Sequence, residues 1–137
     1  MPLGATTYYF PTLGDLVEAG LQQASEAIRT ELQRWSKELT RADLAEGLAR
    51  QVAEYAADRP RALVEYELYL AAARDERLRP LAQVWLDGLH ELLAPLVDES
   101  TATIIAMLLD GAVAQALATG SDLDIAGLRT AITRLAG

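Results

Sequence analysis

The run Pro2-Leu3-Gly4-Ala5-Thr6-Thr7-Tyr8-Tyr9-Phe10-Pro11-Thr12-Leu13-Gly14-Asp15-Leu16 joins two patterns of different length through a proline. Residues 2–10 make a short apolar and aromatic piece that reads as the beginning of a helix. Pro11 then breaks the chain, because it lacks an N–H and pushes its predecessor out of helical geometry. Thr12, with Asp15 three residues on, reads as a helix N-cap with a box-like partner. Beyond it Leu13, Leu16, Val17, Leu21, Ala24, Ile28, Leu32, Trp35 and Leu39 hold one apolar stripe for about seven turns, so the spacing predicts a long amphipathic helix over 12–39.

The same helical period continues to the C-terminus. Thr40 and Asp43 repeat the cap signal ahead of Leu44, Leu48, Val52 and Tyr55, giving a helix that ends near Asp58. Pro60 suits the first turn of the next helix, over 60–74, where its missing N–H costs nothing. Apolar residues surround most of that helix from Ala62 to Ala73, so it is expected to be buried on most sides. Leu78, Leu81, Trp85, Leu89 and Leu92 mark a helix over 77–94, with Pro80 in its first turn and Pro95 at its end. Gly88 inside it costs about 1 kcal/mol against alanine. Ser100 opens a nearly charge-free helix to Thr119, which Gly120 ends. Asp122 or Asp124 caps a last helix carrying Ile125, Leu128, Ile132 and Leu135. No segment alternates with a period of two, so the fold class is all-α: one helical remnant followed by six main helices.

Composition narrows the function. The 137 residues are 51% hydrophobic, which excludes a disordered chain, and contain no cysteine, which excludes disulfides, thiol catalysis and thiolate metal sites. A formal charge of −8 repels phosphate backbones, so the composition by itself speaks against DNA binding. The N-terminus lacks a signal-peptide pattern, and a cytoplasmic location is expected. Ala102 to Ala118 is apolar and nearly long enough to span a bilayer, but Asp110 at its middle and Gln115 favour a helix packed against other helices, with no membrane partner. His90 is the only histidine, so neither a paired-histidine di-iron site nor a three-histidine zinc site can be built. Ser100 and Asp98 read as cap residues, and no glycine-rich phosphate loop follows a strand. Neither an enzyme, a metal nor a cofactor is expected.

The opening run resembles the end of the helix-turn-helix of TetR-family transcriptional regulators: a recognition helix ending in a glycine, an aromatic cluster, a polar turn and a leucine-rich helix. Gly4, Tyr8, Tyr9, Phe10 and Leu16 fit that pattern, while Tyr9 stands where histidine is commoner and Thr7 where tyrosine is usual. Glu67-Leu68-Tyr69-Leu70-Ala71-Ala72-Ala73-Arg74, Leu78-Arg79-Pro80 and Trp85-Leu86-Asp87 resemble the middle helices of the family's effector domains. The resemblance thus runs the length of the chain, with its specific part in the first sixteen residues. It implies a TetR-type C-terminal bundle divided into 1–11, the remnant of a DNA-binding domain, and 12–137, a ligand-binding and dimerisation domain. The first two helices of the DNA-binding head are absent, so no sequence-specific operator binding is expected of the chain in this form.

The resemblance also assigns candidate residues. In a complete head Leu3, Gly4, Thr6, Thr7, Tyr8, Tyr9 and Thr12 would face DNA, Thr6 at a base edge and the tyrosine hydroxyls and the helix start at Thr12 on phosphate. Alternatively Tyr8, Tyr9 and Phe10 pack the head onto the body. Glu65, Tyr66, Glu67 and Tyr69 either orient a cationic or hydroxylated ligand in an apolar pocket, or form an Arg61–Glu65 pair with tyrosines filling core. Trp35, Tyr55, Trp85 and Met107 either line the same cavity or are plain core. His90, flanked by Leu86 and Leu93, is expected to be partly buried or at a subunit contact. Leu109, Val113, Ala116, Leu117, Leu128 and Ile132 either form a two-fold four-helix interface or fill the monomer core. The implied function is ligand-responsive transcriptional regulation, as a repressor, by a homodimer that binds a small, largely apolar effector. The alternative is a headless ligand- or protein-binding module that never touches DNA.

Overall fold

A computed structural model describes residues 12–137; residues 1–11, with the DNA-facing candidates Leu3, Gly4, Thr6, Thr7, Tyr8 and Tyr9, lie outside the described part. The described residues form six α-helices, α1 (Leu13–Glu38), α2 (Leu44–Ala57), α3 (Arg59–Ala71), α4 (Arg79–Leu93), α5 (Glu99–Thr119) and α6 (Ile125–Ala136), with a 3₁₀ turn at Glu76–Leu78 before α4. The ends follow local chemistry. The Asp15 N–H donates to Thr12 Oγ1 at 3.0 Å, the Thr101 N–H to Asp98 Oδ1 at 2.7 Å and the Gly127 N–H to Asp124 Oδ1 at 2.9 Å. Each satisfies an N–H that its helix leaves without a partner. The cap of α5 is therefore Asp98 and not Ser100, and that of α6 is Asp124. Gly120 ends α5 at φ +69°, a left-handed conformation that suits glycine.

α1 packs most extensively on α4 and also on α3, while α2 lies against α6, and α5 touches α2, α3, α4 and α6. Gly88 permits the first of these contacts: a Cβ there would lie 2.5 Å from Leu32 Cδ1. The residue that costs α4 propensity thus lets α1 approach it closely. The main core gathers Leu32 and Trp35 of α1, Leu48 and Val52 of α2, Leu89 and Leu93 of α4, Ile105 and Leu109 of α5 and Ile132 of α6. A smaller cluster of Leu21, Ala72 and Leu78 holds the first half of α1 to the 3₁₀ turn. The helix Glu99–Thr119 is long and apolar enough to cross a membrane by length and composition. Its stripe Ala102, Ile105, Ala106, Leu109, Val113, Ala116 and Leu117 is instead buried among neighbouring helices.

One expectation fails at α3. The helix stops at Ala71, and only Ala62 and Glu65 within it are buried. Val64 and Leu70 are 55% and 63% exposed, so one face points outward despite its apolar composition. α3 lies against α1, α2 and α5, and among the described residues its outward face is left uncovered.

Candidate functional site

Five helices converge on a small cavity lined by Ile28 of α1, Tyr55 of α2, Glu65, Tyr66 and Tyr69 of α3, Trp85 of α4 and Asp110 of α5. Its walls are aromatic. The Tyr55 and Trp85 rings stack at 6.2 Å with 21° between their planes, and Tyr66 and Tyr69 meet at 6.3 Å. Trp35 stands behind this wall, edge-on to Trp85 at 6.1 Å, fully buried, with its Nε1–H donating to Glu31 Oε1 at 3.1 Å. The free volume is about 30 Å³, room for a water molecule or two.

Two carboxylates face this space, and their surroundings differ. Glu65 is buried, accepting the Arg61 Nε–H at 3.1 Å on one oxygen and the Tyr55 hydroxyl at 2.5 Å on the other. Arg61 also lies 5.7 Å from the centre of the Tyr55 ring, within cation–π range. Asp110 Oδ1 accepts the Trp85 Nε1–H at 2.7 Å and the Tyr66 hydroxyl at 3.3 Å. Burial pushes the Asp110 carboxyl above the ordinary aspartate range, against the opposing pull of those two hydrogen bonds. Burial, reinforced by the carboxylate each faces, raises the Tyr55 and Tyr66 hydroxyls, which therefore stay protonated as donors. An aromatic box with two anionic groups is electrostatically suited to a flat organic cation, because π-faces and carboxylates both favour positive charge.

Of the seven residues expected in the pocket, Tyr55, Glu65, Tyr66, Tyr69 and Trp85 line the cavity together and Trp35 backs it. The Arg61–Glu65 pair is present as well, so Glu65 both lines the cavity and is ion-paired within α3. Met107 is the exception: it is 61% exposed and borders a separate surface hollow between α5 and α6 with Leu108, Gly111 and Leu128. Three residues before Asp110, it is only about 60° away around the helix, yet that offset turns it from the cavity wall to the exposed side of α5. Asp110 and Ile28 were not anticipated as lining; the first had signalled itself only as a lone charge in an apolar helix.

The six interface candidates are also relocated. Leu109, Val113, Ala116, Leu117, Leu128 and Ile132 are each at most 6% exposed within a single chain, so they form the monomer core and are closed to a partner. Ile104, Met107, Gly111, Ala114 and Ala118, on the opposite face of α5, are exposed. His90 is half-buried between α4 and α5, with Nε2 at 3.0 Å from Thr103 Oγ1 and Nδ1 at 2.8 Å from the Leu86 carbonyl. Thr12 serves as the exposed cap of α1. Among the described residues no group of His, Asp and Glu is arranged to hold a metal ion.

A six-helix body closed around an aromatic, carboxylate-bearing cavity is the architecture of a helical ligand-binding domain. Residues 39–137 match the family profile described as Tetracyclin repressor-like, C-terminal domain. The fold superposes on the multidrug binding protein EbrR complexed with ethidium at a TM-score of 0.85 and 42% identity, over 98% of this chain and 79% of that one. It likewise superposes on EbrR complexed with imidazole (TM-score 0.83, 41% identity, 98% and 76% of the two chains). A TetR-family member from Streptomyces coelicolor A3 gives a TM-score of 0.84 at 41% identity over 98% and 79%. A search of the curated proteins returned no match. The chain belongs to the TetR family of transcriptional regulators.

Proposed function

We propose that this chain is a ligand-responsive repressor whose body, residues 12–137, takes a flat aromatic cation into the five-helix cavity, with residues 1–11 as the end of a DNA-reading helix. The observation that carries this reading is the pairing of Glu65 and Asp110 with four aromatic rings around one partly open cavity. It narrows the expected apolar effector to an aromatic one of positive charge. Structures of EbrR complexed with ethidium, malachite green and proflavin support it by likeness.

The cavity's 30 Å³ is far below the roughly 300 Å³ or more of a drug-sized site, so a ligand must part the helices. α1 supplies Ile28 to the wall and Trp35 behind it, and its N-terminus leads toward residues 1–11. A ligand that displaces Trp85 therefore bears on α1, and tilting α1 moves whatever precedes Thr12. Such coupling requires only that the ligand bind one tilt better than the other. The functional unit is a homodimer, formed through the outward stripe Ile104, Met107, Gly111, Ala114 and Ala118, which repeats every three or four residues along α5. The test is a titration of the purified chain with ethidium, followed by tryptophan fluorescence. Saturable quenching is expected, and a free concentration about 100 times Kd should stabilise the fold by about 2.7 kcal/mol. Neither quenching nor a thermal shift would remove the reading.

A further inference from the structure

The two cavity carboxylates are unequal, and the difference selects between them. Glu65 already has a cation: Arg61 is on one oxygen and the Tyr55 hydroxyl on the other, so both are occupied inside the chain. Asp110 has none. Its partners are the Trp85 indole N–H and the Tyr66 hydroxyl, both neutral and both on the same oxygen, Oδ1. The titratable groups of the other cavity walls do not supply a positive charge to it: Tyr55 comes from α2, Glu65 (already paired with Arg61), Tyr66 and Tyr69 from α3, and α1 contributes only Ile28.

Resting on the drug-binding reading above, we propose that Asp110, and not Glu65, is the counter-charge that makes this cavity select cationic over neutral aromatic ligands. A cation entering between Tyr66, Tyr69 and Trp85 meets an anion with a free oxygen and no competitor. To be neutralised by Glu65, it would have to displace Arg61. A buried charge gains most from a partner when it has none, since removing one side of a buried pair leaves the other uncompensated. Burial also raises the empty site's Asp110 carboxyl above the ordinary aspartate range, and a bound cation would lower it again. Affinity for a cation therefore rises with pH as Asp110 ionises.

The test compares ethidium, a permanent cation, with phenanthridine, its uncharged parent ring, on the wild type and on Asp110→Asn and Glu65→Gln. Asparagine keeps an oxygen for Trp85 and Tyr66. Asp110→Asn should weaken ethidium binding by about tenfold or more while phenanthridine stays within about twofold; Glu65→Gln should change ethidium affinity by less than about threefold. The wild type should bind ethidium more weakly as pH falls toward the carboxylate range, and Asp110→Asn should flatten that slope. Equal losses for both ligands in Asp110→Asn, a dominant effect of Glu65→Gln, or a wild-type ethidium affinity independent of pH would each overturn the assignment. Ethidium binding that survives Asp110→Asn sinks this inference alone, whereas a wild type blind to both ligands sinks the drug-binding reading and this inference with it.

Discussion

Replacing Tyr55 by phenylalanine isolates a single hydroxyl in the wall of the cavity. The ring stays stacked on Trp85 and beneath Arg61, so packing and cation–π contact persist, and only the 2.5 Å hydrogen bond to Glu65 Oε2 is lost. Glu65 is 8% exposed, so water cannot readily replace the donor. Hydrogen bonds to charged groups are worth about 1.5–3 kcal/mol. Arg61 keeps hold of the other oxygen, at 3.1 Å, which places the loss in the lower half of that range, about 2 kcal/mol. For a domain of this length that corresponds to a drop in Tm of roughly 6–10 °C. The control is Tyr69→Phe: among the described residues the Tyr69 ring meets Tyr66, but its hydroxyl makes no hydrogen bond, so the loss should stay within about 0.5 kcal/mol. Urea unfolding of both variants, with unchanged m-values, reads the difference directly. A Tyr55→Phe variant no less stable than Tyr69→Phe would refute the account of Glu65 as held by both partners.

Further outcomes follow from the same geometry. Met107→Glu should leave the monomer's stability within about 0.5 kcal/mol, because the side chain is 61% exposed, yet shift the chain from dimer to monomer in light scattering. Leu109→Ala, on the buried face of the same helix, should instead cost about 2–5 kcal/mol in chemical unfolding. Asp110→Asn should raise Tm at neutral pH. Its folded-state carboxyl sits above the unfolded value, so its stabilising contribution is present below the unfolded value and lost as pH rises through the folded one; the variant's advantage should disappear on acidification. Gly120→Ala has open space around the new methyl group but must hold φ at +69°, and should lose about 1 kcal/mol in thermal unfolding, with Gly120→Asn losing less.

What the sequence showed and what it hid divide along a physical line. Signals spanning one helical turn were legible: the Thr12 cap, the left-handed Gly120 and the Arg61–Glu65 pair all act over four residues or fewer. The stripe of α1 was legible for the same reason, since a helix with one apolar face has one way to turn. α5 is different. Ala102, Ile105, Ala106, Leu109 and Val113 make one apolar stripe, while Ile104, Met107, Gly111, Ala114 and Ala118 make another. Periodicity marks both without ranking them, and only the placement of α2, α4 and α6 buries the first. That ambiguity misassigned Leu109, Val113, Ala116 and Leu117 to an interface and Met107 to the pocket. It also hid the outward face of α3, whose Val64 and Leu70 look like core to any composition-based reading.

Asp110 marks the other side of that line. Its two donors, Tyr66 and Trp85, are 44 and 25 residues away, so no local spacing connects them. The helix advertised only that a charge interrupts an apolar run, which argues equally for a soluble core helix and for a binding site. The carboxylate becomes interpretable once its donors prove neutral, because a half-buried anion without a cation is costly unless something outside the chain neutralises it. The sequence could name the aromatic walls as a group, since polar-tipped rings on buried-looking helices must bring their hydroxyls and N–H groups to partners. It could not say which carboxylate was already taken. That asymmetry between Glu65 and Asp110 exists only where five helices meet, and it is what turns an apolar cavity into one that discriminates by charge.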